Sequence, residues 1–380
     1  MKSDYKRLGN YIEAVNRRNV DCKVTDLRGL SLTKEFRSST SNIVGTDMST
    51  YKIMHKYDFA ANFMGLGVLV DKAAIVLKLD DKPNIVSGAY PVFKVKDENE
   101  LHPEYLMMWL IRPEFDRFCV FKSDRGIRGG FDWNDLLEVQ LPIPHITKQR
   151  EIVKEYNTIQ NRIALNQQLI QKLEETAQAI YKQWFVEGID MENLPEGWRA
   201  KSFTEVVNLS GGGTPDTSKH SFWNGKIPFF TPADISDGYY SIQTEKYITE
   251  SGLNNSSTKL YPKNTVFVTA RGTVGAIAIA GSEMAMNQSC YALSGDYPFF
   301  IHQLTIETMN KLKTEAVGAV FGALVTKDFE AQIIIDPTVD LKKEFDNKVS
   351  KIYDFILLKI NENQKLTELK ELLLSRLASV

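Results

Sequence analysis

The chain has 380 residues, 43% hydrophobic and 25% charged, with 46 Lys and Arg against 48 Asp and Glu. That is enough apolar material for two or more globular domains, and the net charge of −2 means that any grip on a polyanion is local or shared with partner chains. No apolar run is long enough to span a membrane, and the opening Met1-Lys2-Ser3-Asp4-Tyr5 carries no apolar signal segment, so a cytoplasmic protein without a membrane partner is expected.

In chain order, Asp4 to Val15 reads as a short helix. Phe59 to Met64 and Val68-Leu69-Val70 read as strands, and His102 to Phe118 as a helix opened by Pro103 near its first turn. From Thr147 to about Glu187 there is neither proline nor glycine. Apolar residues recur there in steps of four and three, at Ile152, Tyr156, Ile159, Ile163, Ile170, Leu173, Ala177, Ile180 and Trp184. Asn166 fills the gap in this seam, a pattern that predicts a coiled-coil helix with one polar core position. The helix ends at Gly188, and the acidic stretch containing Pro195 and Gly197 is a linker. Lys201 to Leu209 reads as a second short helix. Thr265 to Ala270 and Ile277 to Ala280 read as strands joined through Arg271-Gly272-Thr273-Val274-Gly275. About Val339 to Ser379 is a second long helix, with Phe345, Val349, Ile352, Ile356, Leu366, Leu373 and Leu377 on its seam and Lys359, Asn363 and Lys370 interrupting it.

The chain repeats itself. A shift of 193 positions lays Gln171-Lys172-Leu173-Glu174-Glu175 on Gln364-Lys365-Leu366-Thr367-Glu368, Asp135 on Asp328, Pro144 on Pro337 and Glu151 on Glu344. The order is therefore module, helix, module, helix, with residues 1–146 and 198–338 as modules, 147–188 and 339–380 as helices, and 189–197 as linker. Each helix of about 40 residues reaches roughly 60 Å. The expected fold is α+β: two pseudo-symmetric modules separated by two long antiparallel coiled-coil helices.

Catalytic signatures are weak. Cys22, Cys119 and Cys290 lie far apart and read as buried small hydrophobes. The histidines form no HxxxH or HExxH pair, so no metal site is expected. Ser210-Gly211-Gly212-Gly213-Thr214-Pro215 lacks the following lysine of a Walker A loop and reads as a flexible turn on a binding face. Phe63-Met64-Gly65-Leu66-Gly67 is like a methyltransferase cofactor loop, but the chain has no Pro-Pro pair for a base-holding loop. DNA contact suits several clusters better. Arg17-Arg18-Asn19 with Lys23 and Arg28 form a basic edge, and Lys122, Arg125 and Arg128 surround Gly126, Gly129 and Gly130. In the second module Thr214, Ser218, Lys219, Arg271 and Thr273 lie on turns, and Asn287-Gln288 carry amides suited to base edges. From these residues the leading reading is a DNA-recognition subunit. The alternatives are a scaffold that reads no DNA and a self-contained DNA methyltransferase.

Leu194-Pro195-Glu196-Gly197-Trp198, the Ser210–Pro215 turn, Trp223-Asn224-Gly225-Lys226-Ile227-Pro228, Thr231-Pro232-Ala233-Asp234-Ile235 and Lys246-Tyr247-Ile248-Thr249 resemble the specificity subunit of a type I restriction–modification system. So do Tyr5-Lys6-Arg7-Leu8-Gly9, Lys148-Gln149-Arg150-Glu151-Ile152 and Tyr181-Lys182-Gln183-Trp184-Phe185. The resemblance implies a non-catalytic chain with two target-recognition domains, each reading half of a split double-stranded DNA site, and helices that set the unread gap. It also implies two modification (methyltransferase) subunits bringing S-adenosylmethionine, and two restriction (motor-nuclease) subunits using ATP and Mg, with no cofactor in this chain. The first module departs from the pattern in lacking a Gly-Gly-Gly-Thr-Pro turn and any arginine matching Arg271, so different contacts and an asymmetric target are expected. The second long helix opens with Asp340-Leu341-Lys342-Lys343 in place of a Gln-Arg pair.

Overall fold

A computed structural model of the chain describes residues 5–39, 45–123, 130–190, 192–236, 238–315 and 322–379. The chain divides into two compact units, one of residues 1–161 with 366–380 and one of residues 162–365. Each holds one mixed module and a stretch of both long helices, Ile146–Phe185 and Val339–Arg376.

In the first unit the four-stranded sheet runs Ile12–Val15, Val92–Val95, Phe59–Asn62, Ala74–Leu77, antiparallel throughout. In the second, Asn208–Gly211, Cys290–Ser294, Val266–Thr269 and Ile277–Ala280 follow the same order, and Tyr240–Ser241 adds a parallel edge. A two-stranded ribbon seats each module on its helix. Tyr5–Arg7 pairs with Gln140–Pro142, and Arg199–Ser202 pairs with Ile333–Asp336. Gln140 and Ile333, like the helix starts Ile146 and Val339, are 193 positions apart, so the sequence repeat is a structural one.

The helices run antiparallel within each unit. In the second, Arg162 Nε donates to Glu362 Oε1 at 2.6 Å, while the Tyr181 and Phe345 rings lie 5.9 Å apart. Asn166 is buried, and its amide donates to Asn363 Oδ1 at 2.9 Å. The polar gap in one seam thus meets the polar interruption in the other, which leaves neither amide unpaired. Lys359, equivalent to Asn166 in the repeat, is also buried and is neutralised by Glu362 at 2.7 Å. In the first unit Lys370 reaches Gln160 at 2.9 Å.

Sequence periodicity misplaced several elements. Of the helix expected over Asp4 to Val15, the described part from Tyr5 is two strands around a single 3-10 turn, and Lys201 to Leu209 is a strand end, a four-residue helix and a strand start. Their ladder partners lie far along the chain, and such pairing overrides the local three-residue spacing of Ile12 and Val15. Val68-Leu69-Val70 is a turn, and Ala74–Leu77 is the strand that pairs with Phe59–Asn62. The single helix expected over His102 to Phe118 is two, Pro103–Leu110 and Pro113–Lys122. Pro113 disfavours helical backbone at Arg112 and has no N–H to continue the ladder. The first long helix stops at Phe185, short of Gly188, whose φ of +73° belongs to the turn beyond. Cys119 and Cys290 are buried as expected, but Cys22 is exposed.

Candidate nucleic-acid interface

The two central strands of the second module end together. Val266–Thr269 pairs with Cys290–Ser294 as far as Thr269 and Cys290, and Ala270 N then donates to Ser289 O at 2.7 Å. Arg271 follows directly after that last bonded pair on one strand, and Gln288 directly precedes it on the other. Gly272 and Gly275 adopt φ of +79° and +72° to turn the chain back into Ile277–Ala280, a conformation open to glycine at little cost. Arg271 is exposed and, among the described residues, has no hydrogen-bond or ion-pair partner. Thr273 is exposed beside it, with its carbonyl accepting the Thr269 hydroxyl.

The glycine-rich segment joins this end of the sheet by close packing. A Cβ on Gly212 would lie 2.1 Å from Asn287 O, and one on Gly213 would lie 2.1 Å from Ser257 Oγ. Gly213 N donates to Met286 O at 3.1 Å. The segment is therefore a fitted seam, not the flexible turn its composition suggests. It carries Thr214 to Gln288, whose Oε1 accepts the Thr214 hydroxyl. Asn287 Oδ1 accepts Ser289 N at 3.0 Å, and Asn287 N donates to Phe230 O at 3.0 Å. Three segments thus place Thr214 against Gln288 beside Asn287, with Arg271 and Thr273 on the turn at the same end of the sheet. Ser218 and Lys219 lie on the next turn. Ser218 is tied to Asp216 Oδ1 at 2.7 Å, which holds that carboxyl below its usual range, and Lys219 lies over the Phe222 ring at 5.1 Å. Pro232 of the Thr231–Ile235 stretch stands 3.6 Å from where a Cβ on Gly272 would be.

The first module is different. Its basic edge is largely neutralised from within: Arg17 pairs with buried Asp58, Lys23 with Asp21 at 2.8 Å, and Arg28 with Asp26 at 2.8 Å. Arg18 is exposed and donates to Thr50 O. Asn19 is fully buried, its amide clasping both the N–H and the carbonyl of Val24, so it closes a loop and presents nothing to a ligand. Lys122 borders a concavity of about 430 Å³ with Asn62, Met64, Pro91, Asp132 and Asp135. The predicted contacts Arg125 and Arg128 lie outside the described residues. Where the second module has Arg271, the first turns through Gly65 and Gly67, φ +71° and +80°, and exposes Met64, Val68 and Leu69.

No group of three or more His, Cys, Asp or Glu side chains suited to a metal exists among the described residues. Burial pushes the Cys290 thiol up to about 12, the opposite of what a nucleophile needs.

The family model for the type I restriction modification DNA specificity domain matches twice, over residues 34–175 and 195–371. The chain belongs to that family. Its members are specificity subunits, the non-catalytic components of type I restriction–modification systems. This specificity subunit is 24% identical over 368 residues to the type I restriction enzyme HindI specificity subunit of Haemophilus influenzae, covering 77% of this chain and 80% of that one. It is 26% identical over 189 residues to the MjaIX specificity subunit of Methanocaldococcus jannaschii, covering 47% and 43%. Its fold is similar to that of the S subunit from M. genitalium, with a TM-score of 0.59 at 13% identity over 98% of this chain and 95% of the other. No described helix is long and apolar enough to cross a membrane.

Proposed function

We propose that residues 1–146 and 198–338 are target-recognition domains, each reading one half of a bipartite double-stranded DNA site. On this reading residues 147–188 and 339–380 are the spacer helices and 189–197 the linker. The observation that carries it is the placing of Arg271, Gln288, Asn287 and Thr214 at one exposed sheet end, with the guanidinium unpaired among the described residues. Arginine and amide side chains are the groups that read guanine and adenine edges, and a free cation also meets phosphate. The unlike tip of the first module, apolar at Met64 and Leu69, supports unlike half-sites and an asymmetric target.

The helices are assigned to docking two modification subunits. Leu165 and Leu358, 193 positions apart in the repeat, are 60% and 57% exposed. In the first unit a groove of about 600 Å³ lined by Ile159, Leu369, Leu372 and Leu373 lies between the helices. Exposed leucines on a rigid helix pair fit partner helices. S-adenosylmethionine, ATP and Mg belong on this proposal to the modification and restriction subunits, and the whole complex works in the cytoplasm. The test is a methylome of cells co-expressing the chain with its modification subunit. A new two-part adenine motif with a fixed gap, absent without this chain, is the expected result. Soluble, associated proteins with no motif would overturn the assignment in favour of a scaffold.

A further inference from the structure

We infer that Gln288 reads an adenine in the half-site of the second module, and that Thr214 is its positioning residue. This rests on the DNA-reading assignment above and names the base and the reader.

Of the two neighbouring amides, Gln288 is the more exposed. Asn287 is half-buried and turned along its own backbone: Oδ1 accepts Ser289 N at 3.0 Å, Asn287 N donates to Phe230 O at 3.0 Å and Asn287 O accepts Cys290 N at 3.3 Å. Gln288 follows it at the crest of that turn with its side chain exposed. Its one described contact is the Thr214 hydroxyl on Oε1. A carboxamide oxygen has two lone pairs and the nitrogen two protons. With one lone pair taken by Thr214, the second remains to accept an adenine N6–H while Nε2 donates to N7. That is the bidentate pairing by which glutamine distinguishes adenine in the major groove.

Thr214 can hold the amide because the backbone before it is closely packed. Gly212 and Gly213 lie so close to Asn287 and Ser257 that no side chain fits at either position, and Gly213 N is bonded to Met286 O at 3.1 Å. The seam and the Gln288 turn thus pack directly on one another. An exposed glutamine otherwise samples many rotamers and forfeits that freedom on binding. Arg271, exposed just beyond the ladder and without a partner among the described residues, adds positive charge at the same end of the sheet.

The experiment uses the chain co-expressed with its modification subunit. The methylomes of wild type, Gln288→Ala, Thr214→Val and Thr214→Ser are compared, and co-purification confirms that each variant is assembled. Gln288→Ala is expected to make one A·T position of one half-site degenerate and leave the other half unchanged. Thr214→Val should relax the same position in part, and Thr214→Ser, which keeps the hydroxyl, should restore it. Binding to duplex carrying 7-deazaadenine at that position should weaken roughly 10-fold for wild type and not for Gln288→Ala. An unchanged motif in Gln288→Ala, relaxation at a G·C position, or Thr214→Val relaxing a different position overturns the inference. A wild-type complex with no motif at all removes the DNA-reading assignment itself, a distinct result.

Discussion

Tyr353 lies at the centre of the second unit's core, with no exposed surface, and its hydroxyl links two other buried side chains. Gln303 Nε2 donates to the Tyr353 oxygen at 2.8 Å, and His302 Nδ1 lies 2.8 Å from it. Burial lowers the His302 pKa to about 3, so the imidazole is neutral and Nδ1 accepts the Tyr353 O–H. Tyr353→Phe removes one oxygen and strands both partners, each 1% exposed. An orphaned buried polar group costs about 1–3 kcal/mol. The Gln303 amide keeps a longer contact with Tyr239 Oη at 3.4 Å, so the two together come to about 2–4 kcal/mol. Amide hydrogen exchange in Pro298–Glu315 and over residues 345–357 measures this directly. Protection should fall by roughly 30- to 1000-fold where exchange follows opening of this core. Tyr239→Phe, which loses a bond to Glu174 O at the half-buried edge, should cost less. A change below about threefold in Tyr353→Phe would refute the claim that the bonds from the Tyr353 hydroxyl to His302 and Gln303 stabilise this core.

The same core makes stability depend on pH. The neutral form of His302 is favoured in the fold, so its contribution is full above pH 6.5 and is lost as pH falls toward about 3, reaching about 2 kcal/mol by pH 5. Asp346, raised to about 6 by burial although it accepts Phe299 and Phe300 N–H groups, acts oppositely between about pH 4 and 6. Asp346→Asn should therefore steepen the acid loss in denaturant titrations, and an unchanged pH profile would count against the pair. Gly212→Ala drives a methyl into Asn287 O and should cost about 1–3 kcal/mol, visible as a lowered Tm and a relaxed motif; unchanged Tm would show that the seam yields. Arg271→Ala should weaken binding of the assembled complex by about 1–3 kcal/mol. A loss that is uniform across sequences assigns Arg271 to phosphate, a loss at one position assigns it to a base, and no loss removes it from the interface.

Much of the architecture was legible without coordinates. The 193-residue repeat follows from laying the chain on itself, and both long helices and Asn166 in the seam follow from i, i+3 and i, i+4 spacing, because a helix closes its hydrogen bonds within one turn and writes its buried face locally. The short strands at Tyr5–Arg7 and Arg199–Ser202 were not legible, because their ladders are completed by Gln140–Pro142 and Ile333–Asp336, which no local pattern announces. The same limit governs the site. Sequence pointed to Arg17, Arg18 and Asn19 by residue type, yet folding brings Asp58 onto Arg17 and Val24 onto Asn19, while Arg18 stays exposed. Thr214, Arg271 and Gln288 were also nominated by type, but their meeting depends on the ladder ending at Thr269 and Cys290 and on glycines pressed against Asn287. Which charges stay free for a partner is decided by which neighbours the tertiary fold supplies, since an ionised or amide group satisfied internally has little left to offer a ligand.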